Sequence, residues 1–94
     1  MEVIIKDHAI FEAQRRGIST KLIISAVNNQ QQKLHSQKGR VIVQNIYFDK
    51  IENKEMLLRV IGFEMSEKFE VITVYKTSKI SKYWVEGSLD ENNI

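Results

Sequence analysis

The chain has 94 residues, enough for one domain and one hydrophobic core. Hydrophobic residues make up 43% and charged residues 28%, a globular balance, and 14 bases stand against 12 acids. There is no cysteine, which excludes disulfides, thiolate nucleophiles and cysteine metal sites, and no proline, so turns rely on Gly, Asn, Asp, Ser and Lys.

Glu2–Ile5 reads as a short strand. Asp7 is placed to cap a helix by accepting the exposed N–H groups of its first turn. His8 to Arg16 are good helix formers, and Gly17 supplies the left-handed stop. Ser19 or Thr20 caps a second helix over Lys21–Asn28. Its Leu22, Ile23, Ala26 and Val27 fall on one face. Gln31–Leu34 reads as a short strand and Ser36–Gly39 as a turn. Arg40–Phe48 is rich in Val, Ile and Tyr and reads as a strand. Asp49–Asn53 turns the chain. Glu55–Glu64 and Phe69–Lys76 then form a hairpin across Met65–Lys68.

The expected class is α+β in the order β-α-α-β-β-β-β, with two N-terminal helices on one face of an antiparallel sheet, in a single domain over 1–84. The segment 85–94 holds Glu86, Asp90 and Glu91 and no base. It reads as a flexible acidic tail that can shield the more basic body. No apolar run exceeds three residues, as at Val3–Ile5 and Leu22–Ile24, so no membrane span or signal-peptide core is expected. A cytoplasmic location follows by exclusion.

Strand alternation assigns the faces. Leu58, Val60, Ile72 and Val74 are the expected core set, joined by Ile42 and Ile46. Arg59, Thr73 and Tyr75 then project from the opposite face, with Val43, Asn45 and Tyr47.

The order of these pieces resembles a known family. His8-Ala9 opens a helix, Arg16-Gly17-Ile18-Ser19 joins it to the next, and Gly39-Arg40 starts a strand. Leu58-Arg59-Val60 lies in a later strand, Thr73-Val74-Tyr75 ends the last, and Lys79 and Lys82-Tyr83-Trp84 follow. This pattern is similar to a prokaryotic family of small domains of unknown function, and through it to the RelE/ParE-type and BrnT-type toxin superfamily. The resemblance implies two helices against an antiparallel sheet, RNA cleavage in many members, and an antitoxin-like protein partner. Other members act on other targets, so it leaves the substrate open. It also suggests that Arg16 faces the ligand.

The residues can be read against that chemistry. Metal-independent cleavage of RNA needs a group to take the 2′-hydroxyl proton, a cation for the charge developing on the phosphate, and a proton donor for the leaving oxygen. No cofactor is called for, and no metal site is evident: His8 and His35 lie in different elements with no acid cluster beside them. His8 is the residue type that moves protons near neutral pH, although a histidine at a helix start is as readily structural. Arg59 is the candidate transition-state cation, since a guanidinium can grip a phosphate through two parallel hydrogen bonds. The plain alternative is a cross-strand ion pair, for instance with Glu70. Tyr75 is a stacking or proton-relay candidate. Arg40, Lys79 and Lys82 are candidate phosphate contacts, and Tyr83 and Trp84 either stack on bases or anchor the C-terminus. RNA is thus the expected ligand. The rival reading is a non-catalytic module that binds nucleic acid or protein.

Overall fold

The computed structural model describes residues 1–86. The acidic tail expected over 85–94 therefore lies, beyond Val85 and Glu86, outside the described residues. The chain runs β1 (Glu2–Ile5), α1 (Asp7–Arg16), α2 (Thr20–Asn28), β2 (Gln32–His35), a 3-10 turn (Gln37–Gly39), β3 (Val41–Asp49), β4 (Lys54–Met65), β5 (Lys68–Thr77) and α3 (Ile80–Tyr83). The class is α+β. The single-turn α3 was not expected, because Ile80–Tyr83 is too short to show a periodicity.

The five strands form one sheet in the order β1-β5-β4-β3-β2. It is mixed, which corrects the expectation of an antiparallel sheet. β2 to β5 form an antiparallel meander, but β1 lies parallel to β5, with Val3 opposite Phe69 and Ile5 opposite Val71. A parallel neighbour needs a long crossover. Here α1 and α2 provide the passage from one sheet edge to the other.

Local chemistry sets the helix ends. Asp7 is not the cap of α1: Lys6 holds that position in extended geometry, with no side-chain bond. Asp7 lies inside the first turn, where its charge complements the helix dipole. Gly17 ends the helix at φ 70°, as expected. The N–H of Ile18 bonds back to the Ala13 carbonyl at 2.8 Å and that of Gly17 to the Gln14 carbonyl at 3.3 Å, a Schellman closure. Ser19 caps α2, its hydroxyl accepting from the Leu22 N–H at 3.1 Å.

The core lies between the helices and one sheet face. Ala9 and Ala13 of α1 and Ile23, Ala26 and Val27 of α2 meet Val41, Val43, Leu58, Val60, Phe69, Val71 and Val74. Small alanines let α1 approach the sheet closely. Leu58, Val60 and Val74 are in the core as expected, but two other assignments change. Val43 pairs with Val60 and is fully buried, so Ile42 and Ile46 take the opposite face, and Tyr47 packs against the core. The run Val41-Ile42-Val43 is apolar at every position, so alternation alone could not phase it. In β5, Val71 replaces Ile72 in the core. Ile61 faces Thr73 while Gly62 faces Val71, so Ile72 is the extra residue of a bulge. Gly62 is required there: a Cβ would lie 1.9 Å from the Glu70 carbonyl oxygen.

Candidate functional site

The face away from α1 and α2 carries a polar row. Cross-strand pairing aligns Gln32 with Gln44, Gln44 with Arg59 and Arg59 with Tyr75, across β2, β3, β4 and β5. Paired residues share a face, so four polar side chains stand in line. Arg59 Nε donates to Gln44 Oε1 at 2.9 Å, and its Nη1 donates to the Tyr75 hydroxyl at 2.5 Å. Gln44 Nε2 donates to Gln32 Oε1 at 2.7 Å and to the Tyr83 carbonyl at 3.0 Å.

Aromatic rings frame the cation. The Arg59 Cζ lies 4.3 Å from the centroid of Tyr83 and 5.7 Å from that of Tyr75. The two rings meet edge to face at 6.4 Å. Lys82 Nζ lies 5.3 Å from the Tyr83 ring, so this tyrosine touches two cations. α3 brings Tyr83 here because the chain, on leaving β5, crosses back over the sheet to β2. Gln32 holds its far end, donating to the Val85 carbonyl at 3.0 Å and accepting from the Val85 N–H at 3.2 Å. Leu57, on this same face beside Ile46 and Thr77, is completely buried.

The charge balance of the row is its main feature. Arg59 is 9% exposed, and among the described residues it pairs with no carboxylate. Glu70, the alternative partner, sits opposite Phe63 instead. A buried guanidinium is ordinarily matched by an acid, because removing a lone charge from water is expensive. Here the neighbours are a neutral amide, a phenol and two rings. Two of its five N–H groups are committed to Gln44 and Tyr75. Among the described residues this fixed positive centre meets no carboxylate, and its remaining N–H groups can receive an anion.

The other candidates fall into three places. Tyr75, Tyr83 and Lys82 join Arg59, with Lys79 exposed at the start of α3. Arg40 is exposed just before β3. His8 and Arg16 are on α1, which packs against the opposite sheet face, so the sheet stands between them and Arg59. His8 is exposed in the first turn of α1. Arg16 Nε bonds to Glu12 Oε1 at 2.9 Å, alongside Arg15 at 2.7 Å. These two guanidiniums, Arg15 first, hold the Glu12 carboxyl below its usual range.

A second polar cluster, on the helix side, was not expected. Asp49 Oδ2 accepts from the Tyr47 hydroxyl at 2.7 Å and from Lys76 Nζ at 2.8 Å, while Oδ1 accepts from the N–H groups of Ile51 and Glu52. Lys76 is thus neutralised, and its register opposite Leu58 puts it on the face away from Arg59. The Lys76 ammonium, then the Glu52 N–H, holds the Asp49 carboxyl well below the carboxylate range, against the opposing effect of burial. The Tyr47 hydroxyl is pushed up by burial and by its bond to Asp49. This cluster is satisfied internally and ties the β3–β4 turn to β5.

Gln44 and Gln32 were missed in the sequence. The available signal was Gln44 itself, an amide that directly follows the apolar run Val41-Ile42-Val43 within a strand. Nothing in that run indicates that it meets Arg59, which only the strand register decides. Among the described residues no group of three His, Asp or Glu side chains could hold a metal ion, and no helix is long and apolar enough to cross a membrane. In comparisons with protein families, curated proteins and solved structures, nothing matches the chain.

Proposed function

We propose that this chain is a toxin-like RNA-binding domain that grips the RNA backbone at Arg59 on the open face of its sheet. The observation that carries the reading is the buried Arg59 guanidinium, paired with no carboxylate among the described residues and framed by Tyr75 and Tyr83. A phosphate supplies the missing negative charge, the tyrosines offer stacking surfaces, and Lys82 and Lys79 extend the contact along the strand. Tyr83 covers one side of the guanidinium, so RNA entry involves displacement of that ring. The ordered resemblance to RelE/ParE-type and BrnT-type toxins supports the same ligand and an antitoxin-like protein partner.

Ribonuclease activity is the narrower reading. In that reading the Tyr75 hydroxyl, hydrogen-bonded to Arg59, relays a proton beside the RNA phosphate. His8, across the sheet from both, favours the non-catalytic binding module as the second reading.

The test incubates the purified full chain, without added metal, with a labelled single-stranded RNA of mixed sequence, beside Arg59→Met and His8→Ala. The wild type and His8→Ala should bind with salt-dependent affinity, and Arg59→Met should lose most of it while remaining folded. Cutting by the wild type that Arg59→Met abolishes would add the ribonuclease activity. No binding by the wild type would overturn the RNA reading.

A further inference from the structure

Gln44 is fully buried in β3, in the middle of the sheet. The guanidinium is a donor at every nitrogen, so the bond from Arg59 Nε fixes which end of the Gln44 amide faces it. The Nε2 end must then point away, and it meets two acceptors, Gln32 Oε1 and the Tyr83 carbonyl. Gln32, accepting from Gln44, is left with its own Nε2 to donate to the Val85 carbonyl. One cation therefore sets the polarity of a hydrogen-bond chain that runs from β4 to the residues after α3.

Charge makes the choice of glutamine consequential. A glutamate is nearly the same shape and would accept the same Nε–H, but it would cancel the guanidinium charge from inside the fold. With an amide, Arg59 is oriented yet stays positive.

We propose that Gln44 is a positioning residue of the Arg59 site. It aims the guanidinium while leaving its charge for the phosphate of the ligand, and it links that site to the segment carrying Tyr83. The proposal rests on the reading of Arg59 as a phosphate-binding group.

The test measures binding of a labelled single-stranded RNA of mixed sequence across a salt series, with the wild type, Gln44→Glu and Gln44→Met. Far-ultraviolet circular dichroism and thermal unfolding verify the fold of each. Gln44→Glu should lose at least about tenfold in affinity, the size expected of one charge-assisted contact. Its slope of log affinity against log salt should become shallower by about 0.7, the share of one phosphate on a single strand. Gln44→Met, which keeps the bulk and leaves Arg59 charged, should lose less affinity and retain the wild-type slope. Equal losses and equal slopes for the two variants would overturn the proposal, because the role would then be packing. Wild-type affinity in Gln44→Glu would also overturn it while leaving the Arg59 reading intact. A wild type that binds no RNA would overturn both, and that outcome is distinct from the others.

Discussion

Replacing Asp49 with Asn preserves shape and removes one charge, and its cost follows from the hydrogen bonds. The carboxylate accepts four: from Ile51 N–H at 2.8 Å, Glu52 N–H at 3.0 Å, Tyr47 hydroxyl at 2.7 Å and Lys76 Nζ at 2.8 Å. An amide has one acceptor oxygen. If that oxygen keeps the two backbone bonds, the NH2 group faces the Tyr47 hydroxyl, which can turn to accept from it, and the Lys76 ammonium, which can only donate. The charged bond to Lys76, worth about 1.5–3 kcal/mol, is then lost. The Lys76 side chain is 9% exposed, which leaves water little access to restore the loss. For a domain of this size the expected fall in Tm is about 6–24 °C. Thermal unfolding followed by circular dichroism measures it, and a Lys76→Met background isolates the pairwise part. The effect also has a pH signature. The folded carboxyl titrates below its unfolded value, so its contribution is fully present above about pH 4 and declines as pH falls towards the folded value. The gap between wild type and Asp49→Asn should therefore narrow as pH drops from about 4 to 2. A Tm change under about 3 °C at neutral pH, or a gap independent of pH, would refute the reasoning.

Two further outcomes are expected. Gly17→Ala should destabilise by about 1–2 kcal/mol in denaturant unfolding, through backbone conformation rather than collision: φ is +70° there, while the added Cβ would stand at an ordinary 3.4 Å from Ile51 Cδ1. An unchanged unfolding midpoint would show that the left-handed closure is not needed. Trp84, the one tryptophan, directly follows Tyr83, so RNA that displaces the Tyr83 ring should shift its emission or its quenching by acrylamide. Binding with no change in Trp84 fluorescence would place the RNA elsewhere.

Much of the local architecture was legible in the residues. Gly17 and Ser19 specify the α1–α2 corner through backbone conformation and a single side-chain bond, both local effects. The face of α2 follows from the spacing of Ile23, Ala26 and Val27. Arg59 and Tyr75 projected together as alternation required, because Leu58, Val60 and Val74 marked the buried side on both strands. Where both parities were apolar, as in Val41-Ile42-Val43, alternation had nothing to distinguish. Pairing with β4 settled that strand and moved Tyr47 to the helix side. The bulge at Gly62 was equally hidden, since one glycine in a strand does not indicate which partner residue will be unopposed.

By itself the sequence determined the class of the fold, the corner between α1 and α2 and the identity of the strand carrying an isolated arginine. These depend on interactions between residues a few positions apart. Tertiary structure decided what that arginine means. Gln44 reaches Arg59 across 15 residues of sequence, Tyr83 reaches it from beyond the end of β5 in the chain, and the sheet places His8 on the other face. Such contacts depend on register and on which face each crossover covers, and those are fixed only when the whole core packs.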